Sequence, residues 1–158
     1  MTSSLLDFVR VDYPAVIRKV REAMVILTTL HIPPHDIGIV HSRILLGLAL
    51  TRTGHPEEGE PLLRAQPGEE NLDDSFFDQT FGDREAALGE CLLAEKRYAE
   101  AEPLLLTGLA NLEKRLGPQN RLTQQTRQRL RDLYLAWSKP AEAARYEPKA
   151  TIQTAPTP

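Results

Sequence analysis

Four histidines, one cysteine and a run of carboxylates are the residues of this 158-residue chain whose types could do chemistry. His31 and His35 flank Ile32-Pro33-Pro34. A metal pair needs both imidazoles on one face, and two prolines between them forbid the helix that would place them there. His55 falls in a turn, and His41 in a helix on the face away from its apolar stripe. All four read as surface or loop histidines, and no metal site is expected. Cys91 lies inside an apolar stripe with no histidine near it in sequence, which describes a buried, inert thiol rather than a nucleophile. One cysteine also excludes an internal disulfide and a thiolate metal cluster. Glu57, Glu58, Glu60, Glu69, Glu70, Asp73 and Asp74 crowd turns and helix starts, where negative charge favours the helix dipole. A general acid and base would need a shared pocket that drives their pKa values apart. Nine scattered glycines include no G-x-G-x-x-G or G-K-[ST] loop for phosphate. No catalytic residue and no cofactor is expected.

The basic stretch Arg121–Arg131 (RLTQQTRQRLR) has the arginine and glutamine side chains that read bases in a groove. No helix-turn-helix precedes it, and its apolar positions fit a packed helix, so nucleic acid is not expected. Charge is unevenly spread around a net −3: +2 over residues 1–53, −10 over 54–102, +5 over 103–131 and zero beyond. Solvated helix faces explain this pattern, and so would a charged docking surface. An acidic middle and a basic third part are also the ingredients of weak head-to-tail self-association. Hydrophobic residues make up 41% and charged residues 26%, globular values that exclude a wholly disordered chain. No apolar run approaches the roughly 18–20 residues of a membrane span, and no basic start followed by an apolar core marks a secretory signal. The expectation is a cytoplasmic protein.

The elements that position these residues are repeated. Displaced by 42 residues, the chain matches itself: Leu46-Gly47 on Leu88-Gly89, Leu50 on Leu92, and Glu58-Gly59-Glu60-Pro61-Leu62-Leu63 on Glu100-Ala101-Glu102-Pro103-Leu104-Leu105. A further step aligns Leu88 with Leu130, Leu92 with Tyr134, Glu100 with Glu142 and Ala101 with Ala143. Each unit reads as two helices. In the second, Leu88, Cys91, Leu92 and Ala94 recur at helical spacing. Phe77 and Phe81 extend that stripe backwards from a cap at Ser75 or Asp74. Lys96-Arg97 is a turn. Tyr98, Ala101, Leu104, Leu105, Leu109 and Leu112 form the next stripe, closed by Leu116-Gly117-Pro118. The first unit has a helix over 37–52, a turn at Thr53-Gly54-His55 and a second helix from Pro56 until Pro67-Gly68 stops it. Pro61 and Pro103 sit near the end of a first turn, where at most about one hydrogen bond is lost. Gly47, Gly59, Gly89 and Ala101 fall where the helices of a unit cross closely. An apolar leading helix over about 14–31 is expected to pack on the first unit. Residues 148–158, polar and proline-bearing, read as a disordered tail, and residues 1–13 as partly ordered.

These residues resemble the tetratricopeptide repeat family, whose signature is an L-G pair, an aromatic three residues later (here Leu50 and Leu92), a small residue in the second helix and a closing proline. Leu46-Gly47, Gly59, Leu88-Gly89, Tyr98, Ala101, Pro118, Tyr134 and Ala143 carry the resemblance over residues 14–147. The 42-residue period is similar to the kinesin-light-chain-like subtype and to bacterial arrays of it. Arg131 replaces the glycine of the third L-G pair, as befits a terminal unit facing water.

The resemblance implies an all-α, right-handed solenoid of helical hairpins with about seven helices. It also implies a non-catalytic scaffold that takes a peptide or helix of a protein partner in a concave groove lined by first helices. By register the lining would be His41, Ile44 and Leu48, then Glu90 and Leu93, then Gln128, Asp132 and Leu135. The lysine and asparagine clamp that some members use for a C-terminal carboxylate is replaced by Ile44, Leu48, Ala86, Glu90 and Gln125. Only Arg129 is of the right type, so acidic C-terminal tails should bind weakly. The alternative implied by the same family is a regulatory or sensor module of a bacterial signalling enzyme such as a serine/threonine kinase.

Overall fold

A computed structural model describes residues 11–67, 69 and 83–147. Among them every regular element is helical. The helices are α1 (Tyr13–Thr29), α2 (Ile37–Arg52), α3 (Pro56–Leu63), α4 (Arg84–Ala94), α5 (Tyr98–Leu116), α6 (Arg121–Ala136) and α7 (Pro140–Ala143), followed by a 3-10 turn at Ala144–Tyr146. No described helix is long and apolar enough to cross a membrane. Phe77, Phe81 and the caps expected at Asp74 or Ser75 lie outside the described residues, as do the segments 1–10 and 148–158.

The helix starts alternate. α1, α2, α4 and α6 each begin after an Asp or Asn whose side chain accepts a first-turn N–H: Asp12 from Ala15, Asp36 from Gly38, Asp83 from Ala86 and Asn120 from Leu122, at 2.9–3.2 Å. α3, α5 and α7 begin after His55, Arg97 and Lys139 with no such cap. They start directly from a tight turn instead. Gly54, Lys96 and Ser138, spaced by 42, all have φ between 59° and 88°. The next amide in each case donates five residues back, His55 to Leu50, Arg97 to Leu92 and Lys139 to Tyr134, at 2.8–2.9 Å. The 42-residue period is therefore written in the backbone. α3 ends at Leu63, four residues before the expected stop at Pro67. Arg64 turns to an extended conformation there, ψ 136°.

Consecutive helices pack as pairs, α2 with α3, α4 with α5 and α6 with α7, and the pairs stack through α3–α4, α5–α6, α2–α4 and α4–α6. α1 packs on α2. One core runs through the stack, from Val40, Ile44 and Leu48 through Leu63, Leu88, Leu92 and Leu105 to Leu130, Leu133 and Tyr134. Small residues let the backbones approach. A Cβ on Gly47 would lie 2.9 Å from the Gly59 oxygen, and one on Gly89 2.7 Å from Leu105 Cγ. A Cβ on Gly108, a close crossing that sequence reasoning passed over, would lie 2.6 Å from the Ala86 nitrogen.

Candidate functional site

α2, α4 and α6, the first helices of the three pairs, lie side by side. Together they form an open groove of about 460 Å³ lined by Thr51, Glu90, Leu93, Ala94, Gln125, Gln128, Arg129 and Asp132. Four of these, Glu90, Leu93, Gln128 and Asp132, were expected there. The floor is ionic. Glu90 takes two bonds from Arg52, Nε at 2.9 Å and Nη2 at 3.0 Å, and its Oε2 lies 2.8 Å from Arg129 Nε. Arg52 Nη1 donates to the Tyr13 hydroxyl at 2.7 Å, with the guanidinium over the Tyr13 ring. A single chain of polar contacts thus joins α1, α2, α4 and α6. Burial alone would raise the Glu90 carboxyl, but Arg129 and Arg52 hold it below the usual carboxylate range. Burial lowers Arg129, and Glu90's attraction is opposed by the like charge of Arg52, so Arg129 stays below its ordinary value. Arg52, gripped through two nitrogens, ends above its own despite burial. Both remain guanidinium cations.

Around the floor, Gln128 donates to Asp132 at 2.8 Å, and Leu93 and Ala94 give the α4 wall an apolar strip. Gln125, Gln128, Arg129 and Asp132 occupy one face of α6 at spacings of three and four. That stripe is present in the sequence. The Glu90–Arg52 link, 38 residues apart, has no local signal.

The other expected lining residues are elsewhere. Ile44 is fully buried and Leu48 only 2% exposed. Both belong to the main core, because α2 is covered by α1 on one side and α4 on the other. They are packing residues and cannot meet a partner. His41, half-buried near the start of α2, does not line the groove, and Leu135, though 47% exposed, projects beyond it.

The remaining chemical candidates have structural roles. Cys91 is buried, donates to the Pro56 oxygen at 3.2 Å, and has its thiol pushed up to about 11 by burial. His55 stands beside Glu57 and Glu58 with all three exposed. Glu69, grouped by sequence with the carboxylates of turns and helix starts, is instead a buried ion-pair centre. Its side chain is 1% exposed, bonded by Arg43, by Arg84 Nη1 at 2.8 Å and by the Gln66 amide at 3.2 Å. It ties the segment after α3 to α2 and α4. Burial would raise its carboxyl, yet Arg43 first, then the Gln66 amide and Arg84, hold it low. Some carboxylates of the acidic middle are paired with its own arginines, though the segment keeps its net −10. Arg97 holds Glu60, Glu95 and Glu100 at 2.7–2.8 Å, and Arg64 also reaches Glu60. Asp83, 2% exposed, has its carboxyl pushed up to about 7 by burial and by Glu85.

Comparison with known protein families, with characterised proteins and with solved structures finds no match for this chain.

Proposed function

We propose that the chain is a short tetratricopeptide-like, right-handed helical-hairpin solenoid that serves as a non-catalytic, cytoplasmic scaffold for a protein partner. A peptide or helix of that partner would lie in the groove between α2, α4 and α6. The observation that carries this reading is the groove's construction. Accessible amide, carboxylate and aliphatic side chains (Gln125, Gln128, Asp132, Leu93) surround a floor fixed in place by the Arg52–Glu90–Arg129 contacts. Preorganised side chains lose little freedom when a peptide binds, which favours recognition. The same floor is ill suited to proton transfer. Glu90 is held ionised between two cations, and the buried Cys91 thiol titrates far above neutrality.

The test is selection of peptides from a displayed library against the folded chain, followed by amide-shift mapping with the best binder. Perturbations centred on Thr51, Leu93, Gln125 and Gln128 are expected, and a Leu93→Glu/Gln128→Ala variant with unchanged helicity should lose binding. Perturbations confined to α3 and α5, or equal binding by the variant, would refute the groove.

A further inference from the structure

α1 is anomalous. It has 17 residues and none of them is buried. Its inner face (Val16, Ile17, Val20, Met24, Leu27) is half-buried against the rest of the fold, while the opposite face keeps Val25 67%, Ile26 59% and, at the C-cap, Leu30 63% exposed. Val11, just before the helix, is 42% exposed. Towards the N-terminal end the same outer face carries Arg18, Lys19 and Glu22, which form no ion pair among the described residues. Arg21, at the margin of this face, is turned to Glu58 at 3.3 Å.

On α1, Arg18, Glu22, Val25 and Thr29 are exposed, and with half-buried Ala15, and with Val11 just before the helix, they are spaced 4, 3, 4, 3 and 4. That is the spacing of a seam between two helices, with Lys19, Ile26 and Leu30 flanking it. The seam is complementary to itself when reversed. Two antiparallel copies centred between Val20 and Arg21 bring Arg18 and Lys19 of each opposite Glu22 of the other. The same register sets Val25 and Ile26 against Ala15, and Leu30 against Val11. A parallel pairing would stack Arg18 on Arg18 and Glu22 on Glu22, like on like.

We propose that the outer face of α1 is a homodimer contact, in which a second copy of this chain pairs antiparallel across a two-fold axis. The contact is isologous and therefore closes at two. A 17-residue helix is about 25 Å long. Two such helices side by side bury well under the roughly 800 Å² per partner of a stable interface, so the dimer is weak and concentration-dependent. None of the seam residues lines the groove. The contact also differs from the head-to-tail association of acidic and basic segments, since it pairs one α1 face with its own copy.

The test is sedimentation velocity over a concentration series, with helicity checked by circular dichroism. The expected result is a monomer–dimer equilibrium that Ile26→Glu weakens by about tenfold or more. Glu22→Lys alone leaves only cations along the seam and also abolishes the dimer. Combining Glu22→Lys with Arg18→Glu and Lys19→Glu reverses every charge and restores it. These side chains are exposed, so folding is not at stake. Spin labels at Thr28→Cys should lie about 25 Å apart across the antiparallel dimer, against about 10–15 Å for a parallel one. Overturning results are a monomer at every concentration, a dimer indifferent to Ile26→Glu or Glu22→Lys, failure of the triple charge swap to rescue, or the short label distance.

Discussion

Glu90→Ala is the substitution for which the structure fixes an expected size. It removes the one carboxylate shared by Arg52 and Arg129, whose side chains are 23% and 19% exposed. Two like charges are then left side by side on the groove floor, and Arg52 retains only its bond to Tyr13. Breaking a buried ion pair by deleting one partner costs about 3–5 kcal/mol. Partial solvent access and screening bring the expectation to the lower end, about 3 kcal/mol, or roughly 6–12 °C in Tm for a chain of this size. Arg129→Met should cost about 1 kcal/mol or less, because Glu90 keeps both bonds to Arg52. Glu90→Gln should fall between the two.

The pH dependence supplies an independent check on the same residue. Glu90 is held below its ordinary value in the fold. In acid the unfolded chain therefore takes up the proton first, and the contribution of Glu90 disappears as pH falls below about 4. The gap between parent and Glu90→Ala should be full at neutral pH and narrow in that window. Urea midpoints at two pH values measure both effects. Equal losses for Glu90→Ala and Arg129→Met, or a gap that is the same in acid, would refute the account of Glu90 as the hub of the floor.

Gly108→Ala should destabilise by about 2 kcal/mol, since its Cβ would meet the nitrogen, Cα and Cβ of Ala86 within 2.9 Å and a backbone cannot step aside as a side chain can; thermal melts would show it, and an unchanged Tm would count against the α4–α5 crossing. Asp83→Asn should stabilise at pH 8 but hardly at pH 4, by urea midpoints. With its carboxyl raised to about 7, folded Asp83 keeps a proton that the unfolded chain releases near pH 4, so parent stability declines between those values, and Asn retains the cap without titrating. Glu69→Ala should cost about 3 kcal/mol by leaving Arg43 and Arg84 in a buried cluster without their shared acid; a loss below about 0.5 kcal/mol, the usual range for a surface carboxylate, would return Glu69 to the turn carboxylates with which the sequence groups it.

What was legible in the sequence was whatever is fixed by neighbours along the chain. The turns at Gly54 and Lys96 were legible, and the one at Ser138, not read from the sequence, repeats them at 42 because a left-handed residue followed by a five-residue return bond is a local device. The expected bounds of α2 and α5 match those observed because caps and closing glycines act within one turn. The helix pairing followed from the short connections between them. The groove was only half legible, and the half that failed is instructive. Ile44 and Leu48 were assigned by the same register as Glu90, as though one helical face had one fate along its whole length. α2 lies between α1 and α4, so its outward-facing residues meet a neighbour where those of α6 meet solvent. Periodicity reports which side chains share a face. It carries no information on what lies opposite that face, and the stacking of α1 on α2 was itself an expectation, not a datum.

The same limit hid the ionic contacts. Arg52–Glu90 spans 38 residues and Arg43–Glu69 spans 26, so each is created by packing and leaves no spacing rule behind. Local sequence thus sets the helices and their pairing, while the stacking of the pairs decides which surfaces remain open. Of the exposed groove residues, Gln128 and Asp132 lie on α6, the last of the described first helices, and Ala94 at the end of α4. Among the described residues no further helix pair follows α6 and α7 to bury Gln128 and Asp132, and the proposed binding in the groove depends on their staying uncovered.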